Sequence, residues 1–230
     1  MPIDPNRPDH EAVVTEDDWG EMVSRLAHEI RNPLATIKSG VQLAQHVAQP
    51  TGEVAECLDS VLEQVSRIDR TVQDLLRFVR GAGGDPAPLP VASAIEEALS
   101  LHRPEAAQAG VALALSPGPG ARVLVDPGSL RLALGEILSN AIRFAPSGST
   151  VAVSWSRDGD AVLIHTDDEG PGIAEEMADR VARPFFSTST SGTGLGINIA
   201  AKACRLARGR LEWCNRPERG CRFTLRLPVA

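Results

Sequence analysis

RLAHEIRNPLATI, residues 25–37, decides how the N-terminal part of the chain folds. Ala27, Ile30, Leu34 and Ile37 recur in steps of three and four, which marks one stripe of an α-helix. The stripe extends to Val23 on one side and to Val41, Ala44 and Ala48 on the other, a heptad seam. Pro33 sits inside this helix, where it removes a backbone hydrogen bond and crowds the turn before it, at about 3 kcal/mol. His28 follows Ala27 by one residue, about 100° round the helix, so it faces away from the seam. Asn32 lies one turn further on the same side. A lone surface histidine is ordinarily just solvated. Here Glu29 can accept a ring proton and leave the other nitrogen as a nucleophile. Asn32 can orient a phosphoryl group or a water, and Pro33 loosens the helix at that point.

Working outward, QPTG (49–52) breaks the helix, and a second seam follows at Val54, Leu58, Val61, Val65, Ile68, Val72, Leu75 and Val79. GAGGDPAPLP (81–90) ends it and reads as a linker. Two such helices form an antiparallel hairpin with little interior of its own. Two hairpins make a four-helix bundle, so the pattern predicts a homodimer over a hairpin packed within its own chain. Residues 1–17 are acidic and poor in apolar side chains and read as a flexible tail, with Asp17 or Asp18 as the first helix cap.

Composition narrows the function classes. The chain has 230 residues, 43% of them hydrophobic, enough for one large or two small cores. A net charge of −7 argues against nucleic acid as a partner. No apolar run is long enough to span a bilayer, and the polar, proline-rich start does not read as a signal peptide, so the expected setting is cytoplasmic. Four cysteines without CxxC spacing argue against a zinc site, and Cys214 and Cys221, spaced to face each other across a C-terminal hairpin, read as two small buried thiols.

The C-terminal part alternates helices and strands. Residues 91–109 read as a helix with Pro104 in its middle, and VALAL (111–115) and RVLV (122–125) as strands flanking the turn SPGPGA. Asp126 and Pro127 form an N-cap and N1 pair that opens a helix over 127–145. Glu136, Asn140 and Arg143 line one face of it, as a solvated stripe or as the wall of a cleft. TVAVSWS (150–156) and DAVLIHTDDEG (160–170) read as strands, as do LEWCN (211–215) and CRFTLRLPV (221–229).

Asp168, Gly170 and Gly172 lie at one strand end, where glycines let backbone approach a flat ligand and an Asp can accept from an exocyclic amine. Ser191, Gly192, Thr193, Gly194, Leu195 and Gly196 lead into an apolar helix, an anion-binding nest that is neither a P-loop nor a strand-borne GxGxxG. Each glycine cluster alone is more often a turn than a site. Between them, ARPFFSTSTS (182–191) reads as a mobile lid anchored by Phe185 and Phe186.

HEIRNPL (28–34), GEILSNAIRF (135–144), DDEGPGI (167–173), RPFF (183–186) and SGTGLG (191–196) occur in this order. With them the chain resembles the catalytic core of two-component sensor histidine kinases over roughly residues 18–228. The resemblance implies an α+β chain. Residues 18–80 would be a dimerisation and phosphotransfer hairpin, 81–90 a linker, and 91–230 a two-layer α/β sandwich that binds ATP and Mg²⁺, as in gyrase-type ATPases.

Position by position, the resemblance implies His28 as phosphoacceptor, Glu29 as general base and Asn32 as the residue that places the phosphoryl group or a hydrolytic water. Asn140 would hold Mg²⁺, and Asp168 would read the adenine amino group. Gly170 and Gly172 would admit the nucleotide. Gly192, Gly194 and Gly196, with Thr193 and Leu195, would hinge the lid, Phe185 would anchor it, and Arg143 would face phosphate. The implied partner is the receiver domain of a response regulator, phosphorylated on an aspartate. The chain departs from the pattern at Glu136, where many relatives carry Asn; Glu136 would be a second metal ligand or would permit some ATP hydrolysis. The lid is short and lacks lysine, which leaves Arg183 as its base. Seventeen residues ahead of the first helix are too few for a sensor, so sensing is expected from an upstream protein or domain. The competing readings are a phosphotransferase or scaffold with a weak nucleotide site, and a serine kinase or ATPase of the same superfamily.

Overall fold

The computed structural model describes residues 16–80, 84–178, 180–189 and 192–230, excluding the side chains of 16–22 and 80. Residues 1–15 of the expected tail, residues 81–83 of the linker, and Thr190 and Ser191 of the lid lie outside the described residues; Asp17 and Asp18, expected as the first helix cap, are already helical, since α1 is described from Glu16.

Helices α1 (Glu16–Ala48) and α2 (Glu53–Arg80) form the hairpin, with Gln49 and Gly52 at positive φ in the turn. α1 runs unbroken through Pro33. Only part of each seam is used inside the hairpin. Of the seam residues, Ala27, Leu34, Val65 and Val72 are buried, while Ile30, Ile37 and Ile68 are exposed; near the end of α2 the buried residue is Leu76, not the seam's Leu75, which is half-buried. Gln45 donates to Asp59 at 2.8 Å across the hairpin, and Arg31 lies 3.4 Å from Asp69.

The remainder contains β1 (Ala87–Pro90), α3 (Val91–Ala109), β2 (Ala112–Ser116), β3 (Arg122–Val125), α4 (Pro127–Phe144), β4 (Thr150–Asp158), β5 (Ala161–Asp167), α5 (Gly196–Leu206), β6 (Arg210–Asn215) and β7 (Cys221–Pro228). The large sheet has the order β2-β4-β5-β7-β6, with β2 and β4 parallel and the other pairs antiparallel. Alternate residues of β4 and β5 (Val151, Val153 and Trp155; Val162, Ile164 and Thr166) are buried, and the apolar ones join one core with Leu130, Leu134, Ile137, Leu138 and Ile142 of α4. α4 starts where Asp126 and Pro127 place it: the Asp126 side chain accepts from the backbone N–H of Gly128 at 3.2 Å and Ser129 at 2.8 Å.

Three local expectations change. The end of the linker is a strand, with Ala87–Pro90 pairing antiparallel to β3. β2 and β3, which flank one turn in sequence, belong to different sheets. Cys221 is buried but Cys214 is exposed; they are not register partners, since Cys221 pairs with Asn215. No described helix is long and apolar enough to cross a membrane.

Candidate active site

At the end of β5 the chain turns into Asp168, whose residue is only 5% exposed. Its Oδ1 accepts from Gly170 N at 2.8 Å and from Cys221 N at 3.2 Å. Among the described residues no group donates to Oδ2. Burial raises the Asp168 pKa, outweighing the two amide hydrogen bonds that favour the carboxylate. A side chain at Gly170 would meet the Phe144 carbonyl at 2.8 Å and Asp168 Oδ1 at 2.9 Å, so this turn closes only around glycine. Asn215 fixes the following strand exit in both directions: it accepts from Ile173 N and donates to Ile173 O, each at 2.7 Å.

Glu136, Asn140 and Arg143 share the open face of α4, and Arg143 donates to Asn140 Oδ1. Above them starts α5. A Cβ at Gly196 would lie 2.7 Å from Glu136 Oε2 and 3.3 Å from Asn140 Nδ2. The carboxylate and the amide therefore meet at bare backbone. Burial and the neighbouring Asp74 push the Glu136 pKa up to about 7, against the opposing pull of Arg77 and Arg143.

Gly194 has φ +72, and its carbonyl accepts from Phe185 N at 3.0 Å. Phe186 is half-buried under Arg180, whose guanidinium lies 4.5 Å from the ring centroid. Phe185 is 61% exposed, so the lid base is anchored by Phe186 alone. Leu195 is fully buried.

One cavity of about 1190 Å³ joins these parts. Glu136, Asn140, Arg143, Asp168, Gly172, Thr193, Gly194 and Gly196 line it, whereas Gly170, Phe185, Gly192 and Leu195 do not. Gly192 packs behind it: a Cβ there would lie 2.5 Å from Ser187 Oγ and 3.5 Å from Arg143 Nη1. A long ligand fits with a hydrogen-bonding base at Asp168 and an anionic end near α4 and the start of α5.

The cavity has a wall that sequence reasoning missed. Arg70, Gln73, Asp74 and Arg77 of α2 line it. Asp74 Oδ2 accepts from Thr193 Oγ1 at 2.6 Å, and Arg77 Nη1 lies 3.4 Å from Asp74 Oδ1 and 3.5 Å from Glu136 Oε1. Lys202 of α5 donates to the Phe78 and Val79 carbonyls at 2.7 and 2.8 Å, at the C-terminal end of α2. In sequence these α2 residues are ordinary polar positions off the seam and carry no signal. His28, Glu29 and Asn32 are exposed together on α1 and are not part of the cavity wall.

Residues 18–84 match the His Kinase A (phospho-acceptor) domain family, and residues 125–230 match the Histidine kinase-, DNA gyrase B-, and HSP90-like ATPase family. The chain carries the catalytic core of a two-component sensor histidine kinase.

The core is 30% identical over 215 residues to the sensor histidine kinase ZraS of Klebsiella oxytoca, covering 91% of this chain and 46% of that protein. It is 28% identical over 237 residues to the sensor-like histidine kinase SenX3 of Mycolicibacterium smegmatis, covering 94% of this chain and 62% of the relative. The crystal structure of full-length ShkA in complex with AMPPNP superposes with a TM-score of 0.72 at 27% identity, over 92% of this chain and 46% of that one. The histidine kinase core thus spans about half the length of several relatives that it matches. The helical hairpin followed by an α/β ATPase layer is the expected α+β architecture.

Proposed function

We propose that this chain is an ATP-dependent protein histidine autokinase that phosphorylates His28 and passes the phosphoryl group to an aspartate on the receiver domain of a response regulator. One observation carries the reading. A single cavity has a buried carboxylate whose Oδ2, on Asp168, accepts from none of the described residues at one end and the Glu136–Asn140 pair against the bare start of α5 at the other, next to a helix hairpin that exposes His28, Glu29 and Asn32.

In this reading Asp168 Oδ2 accepts from the adenine amino group. Gly172 leaves room for the nucleotide, and Gly170 holds the Asp168 carboxylate in place. Thr193, Gly194 and Gly196 offer donors to the phosphates, and Arg143 faces them. Gly192 and Leu195 act from outside the cavity as supports of the lid, and Phe185 contributes only its backbone N–H, bonded to the Gly194 carbonyl. Glu136 and Asn140 would hold a Mg²⁺ ion: Glu136 Oε2 borders the space that Gly196 leaves open, and the Asn140 amide, which turns Nδ2 toward Gly196 and gives Oδ1 to Arg143, offers its oxygen once it rotates. When bound, the ion neutralises charge on the phosphate oxygens.

Glu29 takes a ring proton of His28, and the opposite ring nitrogen attacks the γ-phosphorus. An N–P bond forms, the bond to the β,γ-bridging oxygen breaks, and ADP leaves. Asn32 orients the phosphoryl group, and with a water in its place supports dephosphorylation of the regulator. Ile30, Ile37 and Ile68, exposed on the hairpin, are the face that a second copy covers in a homodimer. Residues 18–80 form the hairpin unit and 91–230 the nucleotide unit, with 81–90 between them. Sensing belongs to an upstream domain or partner, and the core works in the cytoplasm.

Incubation with γ-labelled ATP and Mg²⁺ tests the reading, with wild type beside His28→Ala. Acid-labile, base-stable label is expected on wild type alone. Label on both proteins moves the acceptor elsewhere, and no label on either refutes the kinase reading.

A further inference from the structure

The nucleotide cavity is walled on one side by the hairpin, through contacts that use up phosphate-binding groups. Thr193 has one hydroxyl hydrogen. It goes to Asp74 Oδ2 at 2.6 Å, so Thr193 cannot at the same time donate to a phosphate. Arg77 lies 3.4 Å from Asp74 and 3.5 Å from Glu136, and so is shared between two carboxylates. Both acids are well covered, with side chains 16% and 17% exposed. Asp74 also adds negative charge to the end of the cavity where a triphosphate brings more.

The geometry points to a latch: Asp74 and Arg77 of α2 hold Thr193 and Glu136 in a docked state, and the phosphates of the nucleotide compete with Asp74 for the Thr193 hydroxyl while repelling the Asp74 carboxylate. This rests on the nucleotide reading of the cavity and adds its regulation. Asp74 and Arg77 are positioning residues, since they act through Thr193 and Glu136.

The competition has a direction. An arriving triphosphate takes the Thr193 hydroxyl from Asp74 and sets its own negative charge beside the Asp74 carboxylate. Like charges in a poorly solvated place repel, which is unfavourable until α2 withdraws. Coupling of this kind is reciprocal: whatever pulls α2 away tightens nucleotide binding by the same factor that nucleotide loosens α2. A stimulus that shifts α2 would therefore set ATP affinity without touching the base-binding end at Asp168.

The test is calorimetric binding of Mg²⁺ with a non-hydrolysable ATP analogue, and of adenosine, to the whole chain as wild type, Asp74→Ala and Asp74→Asn. Asp74→Ala is expected to tighten the triphosphate at least fivefold and to leave adenosine within twofold. Asp74→Asn keeps an acceptor for Thr193 and loses the charge, so it should fall between the two. On the wild type itself, hydrogen exchange at residues 74–79 should quicken with the triphosphate and not with adenosine. Equal changes for both ligands, no change in either, or unaltered exchange would overturn the latch while leaving the nucleotide site standing. Failure of wild type to bind adenosine would overturn the nucleotide reading, and the latch with it.

Discussion

Gly196 lies against Glu136 so closely that a Cβ on the glycine would sit 2.7 Å from Glu136 Oε2. The atom in the way is the end of a flexible side chain, so Gly196→Ala moves the carboxylate and not the fold. Melting by circular dichroism should show a stability change within about 1 kcal/mol, because alanine also favours the helix. Affinity for Mg²⁺ and the ATP analogue should fall at least tenfold. An unchanged affinity would show that the Glu136–Asn140 pair lies away from the phosphates.

Glu136 also stands where a base could activate water. Glu136→Gln keeps the size and a hydrogen-bonding oxygen but removes the charge. If Glu136 supports hydrolysis, ATP turnover without phosphohistidine should drop at least tenfold. If it binds metal only, autophosphorylation should fall with it. Phosphate release and label on His28, measured on the same sample, separate the two; unchanged rates of both would exclude either role.

Thr166 is buried in β5 at 1% exposure, and its Oγ1 has no hydrogen-bond partner among the described residues. A buried, unpaired hydroxyl costs about 1–3 kcal/mol. Thr166→Val should therefore leave urea stability unchanged or raise it by roughly 1 kcal/mol. A loss above that size would reveal a partner for the hydroxyl.

The Asp126 cap makes stability depend on pH. Burial opposes its charged form, but hydrogen bonds from Ser129, Gly128 and Gly84 outweigh it and lower the pKa below the ordinary 3.8. A lowered carboxyl pKa means that the stabilisation is fully present above the unfolded value and is lost as pH falls through the folded one. Asp126→Ala should cost about 1 kcal/mol at pH 7. The difference from wild type should shrink below pH 4. Urea curves at pH 7 and pH 3 check both statements, and a gap that is equal at both would show that the charge is irrelevant.

How much of this could be read from sequence depended on whether the signal was local. The seams of α1 and α2, the Asp126–Pro127 start of α4 and the alternation in β4 and β5 are short-range patterns, and they became the elements they suggest. β1 was hidden because APLP carries Pro88 and Pro90, which argue against a strand unless it is an edge, and β1 pairs on one side only. Ile30, Ile37 and Ile68 of the seams stay exposed in the single hairpin, because heptad spacing does not say whether a stripe faces the same chain or a second copy. At the site, Asp168 and the two glycine clusters were legible because their chemistry needs particular residue types. Asp74 and Arg77 were not, because an Asp and an Arg on an exposed helix face look alike whether they meet water or a hydroxyl 119 residues away.

Lys202 gives the last turn of α2 a counter-charge that belongs to another part of the chain. When that lysine departs, two carbonyls lose their cation and the turn is free to fray. Four residues that pass from helix to extended chain gain about 7 Å of length. In the autokinase proposed above, undocking would thus lengthen the tether just as the γ-phosphate has to reach the exposed imidazole on α1.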